Sequence, residues 1–309
     1  MDQKSVATQK SRTYALCALV LEKNPELPLD EEEFKRIKQA RACLSAALAL
    51  EESYDLLLAN YREFELEVLS IAVVNMTSMK GEYEDFFDIG AALNRRLINL
   101  LSTCRMYLDR CWQHVEEIGA DSEMVKQVAS NSYDNFFEYR FMEALRNHAQ
   151  HAGLAVHSVT AGGRWLPAYK PTQLQFYVTP YALKAVLQEN QKFKKKILNE
   201  CPDKVALVPA VRVYVGGISS VHQKVRDIIA PFVADGRALF EEVMARHEAI
   251  AEERYVGLAA LAKDGDEIVD RVPVILKWDD VRLKLMNNNQ PIENISQRFV
   301  TSQNEEGAS

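Results

Sequence analysis

The sequence predicts a mainly α-helical protein: an antiparallel, up-and-down helical bundle with a small β-hairpin insertion and a helical C-terminal region. Apolar residues recur at three- and four-residue steps over most of the chain, and this spacing is typical of amphipathic helices. The helical stretches are long and are separated by short polar turns, which favour antiparallel packing of consecutive helices. The region after Gly153 has instead the short β-branched and aromatic runs of a hairpin.

The first 30 residues are predicted to contain a short helix and a linker. The helix is expected over residues 3–22. It should end at the stretch Asn24-Pro25-Glu26-Leu27-Pro28, because the residue before a proline avoids the helical conformation.

Residues 31–155 are predicted to form the bundle. The first helix should cover about residues 31–77, since Asp30 and Glu33 have the spacing of a capping box. The second should cover about residues 84–118, where apolar side chains form a nearly continuous stripe.

A further bundle helix is expected to begin after Asp121 or Ser122, which are both good N-cap residues. It should end at His151 or Ala152. Gly153 then stands at the C′ position, where glycine often closes a helix in the left-handed conformation.

Residues 156–300 are predicted to contain the hairpin and the C-terminal helical region. The hairpin strands are expected over residues 156–165 and 174–178. Thr179-Pro180 is typical of a helix start, so a helix should run from there to about Glu200. Residues 301–309 are predicted to be a frayed tail. Between the hairpin region and the tail, helical stretches are expected over residues 205–228 and 238–253, with bends at Gly216-Gly217 and Pro231. A turn at residues 263–266, a strand over 268–277 and a helix over 279–286 should follow.

The composition limits the classes of function. A formal charge of −7 and a pI of about 5.5 argue against a protein that coats nucleic acid, although they leave room for a local basic groove. No apolar run approaches the roughly 20 residues of a membrane helix, and the N-terminus lacks a secretory signal. The five cysteines are scattered, with no CxxC pair. We therefore expect a cytosolic protein with reduced thiols, no membrane partner and no zinc site.

The chemistry of the sequence is concentrated in Arg146-Asn147-His148-Ala149-Gln150-His151. An arginine can hold a phosphate and a histidine can move a proton, so the two together can cut a phosphodiester. Asn147 and His151 are four residues apart and share a helix face, so the amide can orient the imidazole ring. Arg146 and His151 lie about 140° apart around an ideal helix. Either the last turn departs from ideal geometry, or two copies of the motif face each other.

Simpler interpretations of this motif compete with the catalytic one. His148 continues an apolar stripe, so a histidine at the edge of the core is favoured over a ligand or base. Arginine at a helix end can also cover carbonyl groups. No cysteine or paired carboxylate accompanies His148, His151 and His157, so no metal site is expected.

The pattern of arginine, polar residue, three variable residues and histidine late in a bundle helix resembles the signature of the HEPN superfamily (higher eukaryote and prokaryote nucleotide-binding). The resemblance covers about residues 40–155. It implies a metal-independent endoribonuclease without cofactors that acts as a homodimer on RNA. It also implies a toxin–antitoxin or phage-defence (abortive infection) role, with a regulatory or antitoxin protein as partner.

Carried onto this chain, the resemblance makes His151 the general base or acid at the ribose 2′-hydroxyl. Arg146 would bind the scissile phosphate, and Asn147 would orient. The products would carry a 2′,3′-cyclic phosphate and a 5′-hydroxyl. One HEPN subgroup has a regulatory tyrosine two residues after the histidine. Because this chain has Gly153 there, that form of control is not expected.

Other polar residues are candidates for contact with substrate. Asn94 and Arg95 lie on a basic flank of their helix, and His148 lies within the motif. For Asn94 and Arg95, a solvated helix face is the simpler interpretation; Arg105 and Asp109 on the same helix are spaced to pair. Residues 192–196 include four lysines near a predicted helix end, where they can bind RNA or simply be favoured by the helix dipole.

Two other functions remain open from sequence. The first is a non-catalytic helical protein that binds a protein or nucleotide partner, a scaffold with a degenerate HEPN bundle. The second is a regulatory subunit that senses phage or nucleic acid through residues 156–300.

Overall fold

A computed structural model describes residues 12–19, 25–78, 82–167, 172–251, 257–292 and 295–301. This part of the chain is mainly helical, as predicted, and contains two small antiparallel sheets. None of its helices is both long enough and apolar enough to cross a membrane.

The helices are α1 (Glu31–Thr77), α2 (Tyr83–Ile118), α3 (Glu123–Asn135), α4 (Phe137–His151), α5 (Lys184–Glu189), α6 (Lys195–Glu200), α7 (Leu207–Ala251) and α8 (Lys277–Asn288). The strands are β1 (Thr13–Ala18), β2 (Leu27–Leu29), β3 (Ser158–Leu166), β4 (Gln173–Leu183), β5 (Lys204–Ala206), β6 (Leu258–Asp264) and β7 (Glu267–Pro273).

The start of α1 is fixed by the capping box that the sequence predicts. The backbone N–H of Asp30 donates to Glu33 Oε2 at 3.1 Å, and the N–H of Glu33 donates to Asp30 Oδ1 at 2.7 Å. Two N–H groups at the helix start are thereby satisfied by side chains. The observed bounds of α1 and α2 agree with the predicted ones within one residue.

The helix predicted to lead into the motif is broken in two at Phe136. This residue is extended, with φ −116° and ψ 118°, and separates α3 from α4. The break frees carbonyl groups at the end of α3. Arg140 Nη1 donates to two of them, Tyr133 O at 3.0 Å and Asp134 O at 2.7 Å. A side chain one turn into α4 therefore caps the preceding helix.

The chain folds as two compact units, each assembled from three segments. The first unit comprises the described residues of 1–52, 113–121 and 226–288, and the second those of 53–112, 122–225 and 289–309. Residue 155, the predicted end of the bundle, lies within the second unit. The predicted tail lies outside the described residues from position 302 onward.

The first unit contains a four-stranded sheet in the order β2-β1-β6-β7. Its strand β1 corrects the prediction of a helix over residues 3–22, of which only residues 12–19 are described. Both flanks of β1 are paired, with β2 on one side and β6 on the other, and Leu16 is fully buried. A strand in the middle of a sheet and buried on both faces gives a continuous apolar run, which periodicity cannot distinguish from a helix.

The second unit contains a three-stranded sheet in the order β3-β4-β5. The predicted hairpin is confirmed as β3 and β4, but the helix predicted from Thr179-Pro180 is wrong. Pro180 lies within β4, opposite Val159 of β3, and helical structure begins only at Lys184. Strand β5 pairs with Tyr181–Leu183 and does not reach Pro180. At Pro180 the strand thus pairs with β3 alone, the edge setting that tolerates proline.

Helix α7 runs without interruption through Gly216-Gly217 and Pro231. Gly217 is explained by packing. A Cβ atom at this position would lie 2.7 Å from Cδ2 of Tyr139, whose ring is buried. The missing side chain lets α7 approach the aromatic ring on α4, the helix that carries the motif.

Candidate functional site

The motif occupies the last two turns of α4. Gly153 closes the helix as predicted, since its N–H donates to His148 O at 3.2 Å beside that of Ala152 at 2.8 Å. The expected left-handed conformation is absent at Gly153; among the described glycines, a positive φ occurs at Gly119, Gly257 and Gly265. A Cβ at this position would lie 3.2 Å from His148 Nε2, a close contact that glycine avoids.

Arg146 and Asn147 form a pair at the surface of α4. Arg146 is half-buried, and its Nη1 donates to Asn147 Oδ1 at 2.5 Å. Its Nε atom is buried and makes no hydrogen bond. The amide of Asn147 therefore positions the arginine, whereas the sequence spacing assigned it to His151. The adjacent charged guanidinium offers the amide oxygen a charge-assisted bond, which is stronger than one to a neutral ring.

His151 is exposed, and neither of its ring nitrogens makes a hydrogen bond to another described residue. No hydrogen bond joins it to Arg146 or to Asn147 within the described chain. A single copy of α4 thus presents an accessible imidazole and a partly accessible guanidinium that do not contact each other.

His148 is buried, which corrects its assignment as a substrate contact. Asn190 Oδ1 accepts a hydrogen bond from the N–H of Lys192 at 3.0 Å, so the amide nitrogen of Asn190 points to His148 Nδ1, 3.1 Å away. Nδ1 is then an acceptor, and the ring proton is on Nε2. Burial, together with the neighbouring His157 ring, lowers the pKa of His148. The side chain is a neutral packing histidine, as its place in the apolar stripe indicates.

His157 links the turn after α4 to strand β4. Its Nδ1 accepts a hydrogen bond from the N–H of Leu183 at 2.9 Å, and its Nε2 donates to Leu154 O at 2.8 Å. Burial lowers the pKa of His157, and the bond to Nδ1 uses the lone pair that a proton would need. Its ring packs edge-on against that of His148, with centroids 5.7 Å apart. Both nitrogens are committed to the fold.

Asn94 of α2 also serves the fold, which corrects its assignment as a substrate contact. Its side chain is 4% exposed. Its Oδ1 accepts from the N–H groups of Ala155 at 2.9 Å and Val156 at 2.8 Å, and its Nδ2 donates to Val156 O and to Gly90 O, both at 3.0 Å. The amide holds the turn that follows the motif helix.

Arg95, the neighbour of Asn94, has the opposite environment. It is exposed and makes no ion pair with any residue in the described ranges, so it is accessible to a substrate. The predicted pair between Arg105 and Asp109 is confirmed, with Nη2 and Oδ1 2.5 Å apart. Both partners are solvent-accessible, so this pair contributes little to stability.

The lysine-rich stretch of residues 192–196 lies where a helix begins, and the sequence placed it near a helix end. Helix α6 starts at Lys195. The segment contacts α4 through Phe193, whose ring lies 6.4 Å from that of Phe141 and 6.2 Å from that of His148. The lysines are therefore attached to the motif helix.

The second unit also contains a buried polar cluster that the sequence periodicity does not predict. His222 of α7 stacks on Tyr54, with ring centroids 3.8 Å apart, and its Nδ1 lies 2.8 Å from the hydroxyl of Tyr107. All three side chains are buried. The periodicity gave no signal for this cluster, because a histidine beside Val221 fits the same apolar stripe.

A shallow cleft of about 280 Å³ lies beside the turn after α4. Aromatic side chains from the start of α2 line it, together with the beginning of β3 and His157. Since both nitrogens of His157 are bonded to backbone, the cleft offers apolar contact, and its histidine is not free for acid–base chemistry.

Comparisons of the chain with family models, with curated proteins and with solved structures found no match. In the part of the chain that the structure describes, no group of three or more His, Cys, Asp and Glu side chains is arranged to hold a metal ion. The case for a function rests on the chemistry of the side chains at the end of α4.

Proposed function

We propose that the protein is a metal-independent endoribonuclease whose active site combines Arg146 and His151 from two copies of the chain. One observation carries the proposal. His148 on α4 is buried, and both ring nitrogens of His157, after the helix, are bonded within the fold. His151 is instead exposed, and neither of its ring nitrogens is hydrogen-bonded to a described residue. It stands on the same helix end as Arg146.

The chemistry follows from these two side chains. The imidazole of His151 removes the proton of a ribose 2′-hydroxyl, and the 2′-oxygen attacks the adjacent phosphorus. The bond from phosphorus to the 5′-oxygen breaks, a water molecule gives a proton to that oxygen, and the protonated His151 returns its proton to the hydroxide that is left. The products are a 2′,3′-cyclic phosphate and a 5′-hydroxyl. Asn147 holds Arg146 in position, and the guanidinium balances the negative charge that develops on the phosphate oxygens.

Two copies are proposed because one copy does not bring the two groups together. Arg146 and His151 project about 140° apart on an ideal helix, and within the described chain no hydrogen bond joins them. A twofold axis beside the end of α4 places two arginines and two histidines in one cleft.

The wider role is proposed from the resemblance to HEPN proteins. A ribonuclease of this type acts as a toxin or in phage defence through abortive infection, controlled by a regulatory or antitoxin protein. The resemblance assigns α1, α2, α3 and α4 to the HEPN-like bundle. The long helices support this assignment, and the break at Phe136 does not disturb the motif turns.

A second candidate is a non-catalytic protein- or nucleotide-binding scaffold with a degenerate bundle. The specific observation in its favour is that Asn94 and His148 are buried and bonded within the fold, while Asn147 is bonded to Arg146. Such a protein keeps the shape of the motif without the reaction.

RNA cleavage in EDTA separates the two candidates. Wild type should cut RNA, leave a 2′,3′-cyclic phosphate and spare a strand that has 2′-deoxyribose at the cleavage site. General acid–base catalysis contributes about 10²–10⁴-fold, so His151→Ala should lose at least about 10²-fold in rate. Gln150→Ala is the matched control, since this neighbour is exposed on the same helix. A wild type that does not cut, or a His151→Ala variant that cuts equally well, removes the enzyme proposal and leaves the scaffold.

A further inference from the structure

The segment Asn190–Lys196, here the lysine arm, concentrates positive charge in an acidic protein. The chain carries a formal charge of −7, yet Lys192, Lys194, Lys195 and Lys196 fall within five consecutive positions and are all exposed. The only apolar residue among them, Phe193, is 4% exposed. A buried anchor between exposed lysines holds the charges at a defined place on the surface.

The arm is fixed to the helix that carries the motif. The Phe193 ring packs on two rings of α4, and the Asn190 amide bridges His148 Nδ1 and the N–H of Lys192. Both anchors therefore meet His148. His151 is three residues further on, less than one helical turn, or about 4.5 Å along the helix axis. From His148 the arm extends toward the start of α4, because Lys194 reaches Tyr133 at the end of α3 and Glu200 of α6 pairs with Arg140. The arm therefore runs along the helix that carries His151.

Three of the lysines are not neutralised by the fold. Lys192, Lys195 and Lys196 make no ion pair with any described residue. The nearest acidic residue along α6, Glu200, is instead bonded to Arg140 at 2.6 Å. Lys194 differs, because its Nζ donates to the hydroxyl of Tyr133 at 3.0 Å.

Helix electrostatics do not explain these lysines either. Lys195 and Lys196 are the first two residues of α6. Cations are favoured near the C-terminal end of a helix and disfavoured near its N-terminal end. The dipole of this six-residue helix therefore does not account for lysines at its start.

We propose that the lysine arm binds the phosphodiester backbone of the RNA strand that is presented to His151. A polyanion with regularly spaced phosphates is the ligand that fits unpaired lysines anchored along the helix that carries the proposed phosphodiester-cleaving group. The choice of RNA rests on the proposed function. The lysines position the strand by charge, and they take no part in the proton transfers.

The salt dependence of binding tests this inference. The probe is a short fluorescent oligouridine with 2′-O-methyl riboses, which cannot be cleaved through the 2′-oxygen. Each phosphate contact contributes about 0.7 to the slope of log affinity against log salt for a single strand. The triple variant K192Q/K195Q/K196Q should therefore reduce that slope by about 2. The matched control K126Q/K277Q/K284Q removes the same charge from exposed lysines elsewhere and should leave the slope unchanged.

Several results would overturn the proposal. They are equal slopes for the two triple variants, no binding of the probe by wild type, and a preference for vesicles of anionic lipid over the probe. Failure of the enzyme proposal is a separate outcome, because the probe is not cleaved. If binding depends on the lysines but no RNA is cleaved, the binding role of the lysine arm stands and the ribonuclease proposal is wrong. If cleavage depends on His151 but is equal in the two triple variants, only the proposal for the lysine arm is wrong.

Discussion

Asn94→Ala is the substitution that most directly tests how the end of α4 is held. It removes the side chain that satisfies three backbone groups of the following turn: the N–H of Ala155 and both the N–H and the carbonyl of Val156. These bonds are buried. A buried polar group that loses its partner costs about 1–3 kcal/mol. Because water can enter and satisfy part of the turn, we expect the free energy of unfolding to fall by about 3–5 kcal/mol.

Urea unfolding measures this loss, and hydrogen exchange of the Ala155 and Val156 amides locates it. Asn99→Ala is the control, since Asn99 is exposed on the same helix and should change stability by less than about 0.5 kcal/mol. Asn94→Asp keeps the acceptor for both amides but places a carboxylate oxygen against the carbonyls of Val156 and Gly90, so it should also destabilise the fold. If Asn94→Ala matched Asn99→Ala in stability and in exchange at the turn, the role given to Asn94 would be wrong.

Two further properties of the second unit can be tested. Burial lowers the pKa of His148 and His157 in the folded state, so as pH falls the unfolded chain takes up protons first. The contribution of these rings to the free energy of unfolding should be fully present above about pH 7. Below about pH 6.5 the free energy of unfolding should fall by up to about 1.4 kcal/mol per pH unit for each ring. His157→Gln should decline less steeply in urea unfolding across this range, and an unchanged decline would refute the assignment. Gly217→Ala should destabilise by about 1–3 kcal/mol through its clash with Tyr139. Gly90→Ala, with no atom within 4 Å of the added Cβ, should gain up to about 1 kcal/mol, and equal thermal shifts for the two would contradict the packing explanation.

Helices α1 and α2 were predictable because their signals are local. The capping box of α1 lies within four residues, and the apolar stripe of α2 needs only its own sequence. The sheet of the first unit was not predictable in this way. Strand β1 pairs with β6, more than 200 residues further along the chain. Each strand alone is a short apolar run that fits a helix as well as a strand.

The candidate site was predictable in its residue types but not in their roles. Spacing along a helix favoured Asn147 as the partner of His151, and the adjacent charge of Arg146 took that amide instead. Asn94 and His157 acquire their roles from partners 62 and 26 positions away, Val156 and Leu183 respectively. The apolar periodicity of a single segment cannot predict contacts between residues this far apart in the sequence. The burial of His148, in contrast, follows from the apolar stripe that precedes it.

The proposal that two copies share one reaction centre can be tested by mixing two inactive variants. Arg146→Ala and His151→Ala should each cut RNA at least about 10²-fold more slowly than wild type. After the subunits are exchanged, half of the dimers should be mixed, and each mixed dimer retains one arginine and one histidine on opposite chains. Cleavage in EDTA should then recover to roughly a quarter of the wild-type rate. A mixture as inactive as its two components, beside an active wild type, would contradict the shared site.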